Sequence, residues 1–172
     1  FFKEEAGQYA VIHLAMHGLF DPQIPILSSL VFTENGDTLE DNLLQAYEIA
    51  HLNLNADLVV LSACETGYGK YKRGDGIRSL ARSFMYAGVP SMVVSLWQVN
   101  DYSTAQLMTS FYDYLAKGFT KDKALRQAKL DYLNKNTGLT AHPAFWSPFI
   151  QLGNNSSSEL AQPTNWKWWI GG

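Results

Sequence analysis

The sequence contains very little cysteine. Cys64 is the only one among 172 residues, so no disulfide can form within the chain. Without a CxxC pair or a Cys/His quartet, a structural zinc site has no ligand set, and we expect neither a metal nor another cofactor. Chains that lack disulfides are typical of reducing compartments, which predicts a cytoplasmic location.

Long apolar runs and clusters of positive charge are also missing. No run reaches the length that crosses a membrane, and no signal peptide is present. The 13 Lys and Arg residues are scattered and the formal net charge is −3, so we expect no nucleic-acid partner. Because the chain starts abruptly at Phe1 without an initiator Met, we expect it to be a piece of a longer protein.

What the sequence does contain is enough apolar material, 47%, for one globular core. Apolar runs at 9–16, 57–62 and 91–97 predict strands, and apolar residues at helical spacing predict helices between these strands and two more after residue 100. Strands that alternate with helices and are apolar on both faces are typical of a parallel sheet covered on both sides. We therefore predict an α/β domain over residues 1–153, followed by a polar linker and Trp-rich tail over 154–172.

Three shorter stretches carry local predictions. Residues 40–52 have apolar positions at helical spacing and predict one crossover helix. Residues 30–33 are expected to pair across the turn Asn35-Gly36 as a small hairpin. Residues 145–152 contain Pro148, which cannot donate to a ladder, and so predict an edge strand.

Two of the predicted strands end at groups with catalytic chemistry. The 9–16 strand is followed by His17, and the 57–62 strand leads through a turn to Cys64. Right-handed crossovers place the carboxyl ends of parallel strands at one edge of the sheet, where α/β proteins bind ligands. A thiol needs a base or a positive environment to be an effective nucleophile at neutral pH. The sequence thus predicts that His17 and Cys64 meet as base and nucleophile.

Both residues also have a purely structural interpretation. A lone cysteine at a strand end is commonly a small buried hydrophobe. His13, Ala15 and His17 share one face of the predicted strand; His13 is expected to be a satisfied core histidine, and His17 could be another. On spacing alone, the two interpretations stay open.

Five motifs bring a resemblance to a known family. They are Leu14-Ala15-Met16-His17-Gly18, Leu61-Ser62-Ala63-Cys64-Glu65-Thr66-Gly67, Ala87-Gly88-Val89-Pro90, Ser95-Leu96-Trp97-Gln98-Val99-Asn100-Asp101, and His142-Pro143 with Trp146-Ser147-Pro148-Phe149. Spread in this order over about residues 10–153, they resemble the CHAT domain, a bacterial branch of the caspase-like cysteine peptidases that include separase and gingipain. The resemblance implies a caspase-like three-layer sandwich with a mostly parallel sheet and helices on both faces, its N-terminal part missing here.

The resemblance also implies an activity and its residues. His17 and Cys64 would form a catalytic dyad, with the backbone N–H groups of Gly18 and Cys64 as the oxyanion hole. The chain would then be a cysteine endopeptidase that cleaves a protein or peptide through an acyl-enzyme, in regulated bacterial defence or signalling. The alternative is a catalytically inactive module that binds a regulator through the same groove. Another α/β hydrolase is disfavoured, because no G-x-S-x-G elbow is present.

Four further residues are candidates for substrate binding. Asp101 stands where the resemblance to separase suggests an acidic residue that pairs with Arg or Lys of a substrate. Asp101 could instead cap a helix, as could Ser103. Asp75 is a second acidic candidate, with a loop turn as its structural alternative. The segment that contains Ser95 and Trp97 could pair its backbone edge with an extended substrate.

The ends of the chain carry expectations about partners. Tryptophans around Lys167 resemble the interfacial belt next to a membrane span, so an adjacent membrane anchor is one interpretation and a tail packed on a partner is the other. Family members carry a further strand and helices before the His17 strand, and these are absent here. We therefore expect an upstream sensor region such as TPR repeats, or a complementing chain.

Overall fold

The computed structural model describes residues 2–21, 23–33, 42–62, 64–65, 75–157 and 168–171. The strands are β1 (Val11–Leu14), β2 (His17–Leu19), β3 (Ser29–Val31), β4 (Leu43–Gln45), β5 (Leu58–Leu61), β6 (Cys64–Glu65), β7 (Ser91–Ser95), β8 (Phe149–Gly153) and β9 (Trp168–Gly171). The α-helices are α1 (Phe2–Glu5), α2 (Ala46–Ala50), α3 (Asp75–Tyr86), α4 (Asp101–Ala116) and α5 (Lys121–Lys135). Short 3-10 helices lie at Ala6–Gln8, Pro25–Leu27, Gly138–Ala141 and Pro143–Phe145.

The main sheet has five strands in the order β8-β7-β5-β1-β9. Strands β1, β5 and β7 run parallel to one another, and β8 joins antiparallel to β7 as an edge strand. Every residue of β5 and β7 is buried, which explains their continuous apolar sequence. The predicted α/β architecture is confirmed, and so is the edge position of the last domain strand, which begins one residue after Pro148.

Alternate residues of the central strands face two separate helical layers. One core cluster joins strand residues such as Val59 and Leu61 to Phe84 of α3, together with residues of α2. The other joins Val60 and its face of the sheet to Phe111 of α4, together with residues of α5. The chain therefore has three layers, with α2 and α3 on one face of the sheet and α4 and α5 on the other.

A second, smaller sheet has the order β4-β3-β2-β6 and lies beyond the carboxyl end of β1. Its β3 pairs antiparallel with both β2 and β4. The predicted helix over 40–52 is therefore wrong in its first half, because Leu43 and Leu44 belong to β4 and only Ala46–Ala50 is helical. The predicted Asn35-Gly36 turn lies outside the described residues.

Helix α4 starts one residue earlier than the predicted caps allow. Asn100 is its N-cap, and the Asn100 side chain accepts hydrogen bonds from the amides of Tyr102 and Ser103. The interpretations of Asp101 or Ser103 as the cap are therefore wrong. Asp101 occupies the first helical position and its side chain is exposed. Since Asn100 caps the helix, the Asp101 carboxylate is not used as the cap.

The Trp-rich tail contributes a strand to the main sheet. Strand β9 pairs parallel with β1, with Trp168 opposite Val11 and Gly171 opposite Leu14. Neither interpretation of the tail, as a membrane-interface belt or as a segment packed on a partner, anticipated this pairing within the chain. Among the described helices, none combines the length and the apolar character that a membrane crossing requires.

Candidate active site

The second sheet brings His17 and Cys64 next to each other. Strands β2 and β6 pair in parallel, with His17 opposite Cys64 and Gly18 opposite Glu65. Strands paired in this way lie about 4.8 Å apart, so the two backbones are immediate neighbours. The predicted 9–16 strand is shorter than expected, since β1 stops at Leu14 and His17 starts β2 in the other sheet.

A cleft of about 700 Å³ opens beside His17. It lies where the carboxyl ends of β1 and β5 approach β3 and the start of α4. The described residues that line it are His13, Ala15, Met16, His17, Val31, Phe32, Thr33, Ser62, Val99, Asp101, Thr104, Ala105 and Met108. The cleft therefore combines a base candidate with a largely apolar wall.

Charge in this wall is confined to one place. Among the described lining residues, Asp101 has the only carboxylate, and none is Lys or Arg. Hydroxyl groups come from Ser62, Thr33 and Thr104. A wall of this composition suits a long side chain with an apolar stem and a cationic end, because the apolar residues can contact the stem and Asp101 can pair with the charge.

Several of these lining residues were not found in the sequence. Thr104, Ala105 and Met108 follow Asp101, which the sequence did identify, at the spacing of one helix face, a signal that becomes informative once the start of α4 is known. The other missed segment is Val31 to Thr33, at the end of β3. It reaches the cleft through pairing between strands that are distant in sequence, and no local pattern marks it.

Two other predicted substrate-binding residues, Ser95 and Trp97, have contacts away from the cleft. Ser95 is buried and pairs with Phe149 of β8, so this part of the predicted backbone edge is already paired within the sheet. The indole N–H of Trp97 donates to the carbonyl of Ala144 at 3.0 Å. Neither residue lines the cleft. Asp75 is the first residue of α3, and the glycine-rich loop before it, from 66 to 74, lies outside the described residues.

Gly18 has a close neighbour that depends on its missing side chain. A Cβ atom at this position would lie 2.8 Å from Cζ of Phe20, closer than carbon atoms normally approach. Glycine thus lets the backbone after His17 run directly beneath the Phe20 ring.

His13 is not the fully satisfied core histidine that the sequence suggested. Its ring lines the cleft, and Nδ1 lies 2.9 Å from the hydroxyl of Tyr112. Nε2 is buried and has no hydrogen-bond partner among the described residues. Burial lowers the pKa of His13 from 6.5 to about 4 and also raises the pKa of Tyr112, so both groups are neutral at pH 7.

The lowered pKa predicts a pH-dependent stability. The unfolded chain takes up a proton on His13 near pH 6.5, whereas the folded protein takes it up only near pH 4. The free energy of unfolding should therefore be unaffected by His13 above pH 6.5 and fall by about 3 kcal/mol as the pH drops from 6.5 to 4. Urea unfolding at about pH 7 and pH 4.5, in the wild type and in His13→Phe, measures this.

The matched control is the exposed histidine at position 51. His51→Phe should keep the wild-type loss of stability at low pH, whereas His13→Phe should remove most of it. Equal losses in the wild type and His13→Phe would contradict the assignment of this dependence to His13.

In the part of the chain that the structure describes, no three His, Cys, Asp or Glu side chains lie close enough together to hold an ion.

Comparison with known proteins identifies a family and relatives for most of the chain. A family model described as "CHAT domain" matches residues 2–154. Tetratricopeptide repeat protein 28 of Homo sapiens is 31% identical over 126 residues, which cover 71% of this chain and 5% of that protein. The Mus musculus protein of the same name is 30% identical over 126 residues, with the same coverage. The chain thus spans about 5% of the length of these curated relatives.

Proposed function

The chain belongs to the CHAT domain family, and we propose that it is a cysteine endopeptidase that uses Cys64 as nucleophile and His17 as base. The observation that carries this proposal is the pairing of β2 with β6, which sets His17 opposite Cys64 beside an open cleft. A nucleophile and its base must lie within reach of each other. Because His17 and Cys64 are paired across neighbouring strands, their backbones are close enough to meet that requirement.

The proposed reaction proceeds in two steps. His17 takes the thiol proton, and the Cys64 sulfur attacks the peptide carbonyl carbon, so that a C–S bond forms. As the tetrahedral intermediate collapses, the C–N bond breaks and the amine leaves with the proton from His17. Water then attacks the thioester, again with His17 as base, and releases the acid and the free thiol.

The backbone around the dyad is proposed to stabilise the oxyanion. The family resemblance implies that the donors are the amide groups of Gly18 and Cys64, which lie on the two paired strands. Loss of one such donor typically costs about 3 kcal/mol of transition-state stabilisation.

Recognition of the substrate is assigned to Asp101. Its exposed carboxylate is the single charge among the described cleft residues, which favours Arg or Lys before the cleaved bond. Asp101→Asn should therefore lower kcat/KM for Arg and Lys peptides by about tenfold to a hundredfold. A positional-scanning peptide library read out with both proteins measures the change.

The control for this substitution lies on the same helix. Asp113 of α4 is exposed and does not line the cleft, so Asp113→Asn should leave the preference unchanged. A library profile without any preference for basic residues in the wild type would refute the role of Asp101.

The alternative to a peptidase is a noncatalytic function for this chain. A chain that binds peptides in the cleft without cleaving them would act as a recognition module. Peptide binding in both the wild type and Cys64→Ala, with turnover in neither, would favour that function over the peptidase.

The setting of the activity is proposed from the relatives. Both relatives are tetratricopeptide repeat proteins by name, so we infer that this segment works beside helical repeats that control access to its cleft. The bacterial pathway and cytoplasmic location expected from the sequence remain predictions.

A further inference from the structure

One residue in the cleft wall carries a buried polar atom that the proposed reaction does not use. This atom is Nε2 of His13, whose ring lines the cleft four residues before His17. Tyr112 of α4 fixes the ring from the other side, because its hydroxyl lies 2.9 Å from Nδ1. The imidazole is therefore held in place, with Nδ1 hydrogen-bonded and Nε2 without a partner among the described residues.

An unpaired buried nitrogen costs stability, since it has lost its hydrogen bonds to water and gained none. Such groups are rare in folded proteins and call for an explanation. Here the ring borders a space large enough for a ligand side chain. Nε2 itself is buried, so a ligand reaches it only if neighbouring side chains move. Met16 and Met108 line the same space, and thioether side chains adapt readily to a ligand.

We propose that His13 is a specificity-determining residue, whose Nε2 accepts a hydrogen bond from the guanidinium or ammonium group of a basic substrate side chain. This inference rests on the proposed function and adds a second recognition group to Asp101. Asp101 supplies the charge at the start of α4, and His13 supplies a directional acceptor on the wall formed by β1.

A basic ligand also determines the protonation of the ring. Guanidinium and ammonium groups offer only N–H donors, so Nε2 must present its lone pair. The single ring proton then resides on Nδ1 and is donated to the Tyr112 oxygen. Burial keeps the pKa of His13 near 4, so the ring is neutral at pH 7 and does not repel the incoming cation.

The test compares two peptides that differ only in the residue before the cleaved bond. One has Arg there, and the other has norleucine, whose side chain has no polar end. His13→Phe keeps a planar ring but removes both nitrogens. We expect its preference for Arg over norleucine, as a ratio of kcat/KM values, to fall about tenfold, mainly through a higher KM for the Arg peptide. Tyr112→Phe leaves the imidazole in place without its hydroxyl partner and should lower the same ratio by a smaller factor. An unchanged ratio in both variants would overturn the proposal.

A binding measurement separates this inference from the proposed catalysis. If the wild type cleaves no peptide at all, the proposed function fails, and calorimetry with agmatine, a small guanidinium compound, still tests His13. We expect agmatine to bind the wild type about ten times more tightly than His13→Phe. Equal affinities, or no binding to either protein, would overturn the role of His13.

Discussion

Replacing Cys64 by alanine is expected to lower kcat for peptide cleavage by about a thousandfold or more. The variant has no sulfur to attack the carbonyl, so the acyl-enzyme cannot form, whereas the cleft residues that bind substrate remain. The loss should therefore appear in kcat rather than in KM. Turnover of a fluorogenic Arg peptide by purified wild type and variant measures it.

The same assay with His17→Ala tests the other half of the dyad. Without its base the thiol is only a few per cent ionised at neutral pH, and the loss should again be about a hundredfold or more. His51→Ala is the matched control, because His51 is exposed and lies outside the cleft. Retention of wild-type turnover in Cys64→Ala would refute the proposed mechanism, whatever the result for His17.

The second large effect concerns stability rather than catalysis. Asp57→Ala should lower the free energy of unfolding by about 3 kcal/mol, because it leaves a buried ammonium group without its partner. Lys121 is fully buried at the start of α5, and its Nζ lies 3.1 Å from Oδ1 of Asp57, just before β5. The pair joins the helical layer to the sheet at the end opposite the cleft. Urea unfolding at neutral pH measures the loss.

Two further variants identify the cause of that loss. Asp57→Ala combined with Lys121→Met removes both charges and should recover most of the stability. Lys3→Ala breaks a half-exposed ion pair with Glu48 and should cost at most about 1 kcal/mol. A cost for Asp57→Ala as small as that for Lys3→Ala would show that water already reaches the Lys121 ammonium.

Strands buried on both faces could be predicted because their whole sequence is constrained. Residues of β5 and β7 have no exposed side, so each is an unbroken apolar run that local sequence reveals. The helices α4 and α5 could be predicted for a related reason, since each is long enough to show apolar residues at helical spacing. These elements fix the α/β architecture.

The second sheet could not be predicted because its strands are too short to show a period. Strands β2, β3 and β4 have three residues each, and Leu43 and Leu44 fit a helix as well as a strand. Strand β9 depends on pairing with β1 across most of the chain, which leaves no local signal. Local rules thus failed mainly around the cleft, where pairing between distant segments positions His17 opposite Cys64.

For the candidate site, the structure added relative positions and contacts that the sequence could not supply. His17, Gly18 and Cys64 were identified from the ends of strands and from the family resemblance, and the pairing of β2 with β6 now gives their relative position. The polar partner of His13 could not have been inferred, since Tyr112 is 99 residues away in the chain. Sequence reasoning locates groups along the chain, but the wall of the cleft depends on contacts between layers.

The most direct test of the account is covalent trapping of the proposed nucleophile. A peptidyl acyloxymethyl ketone with Arg next to the reactive group is incubated with the wild type, His17→Ala and His51→Ala, and intact mass with peptide mapping locates any adduct. The account predicts one adduct, on Cys64, that forms at similar rates in the wild type and His51→Ala and far more slowly in His17→Ala. Equal labelling in all three proteins, or an adduct at another residue, would contradict a Cys64 nucleophile activated by His17.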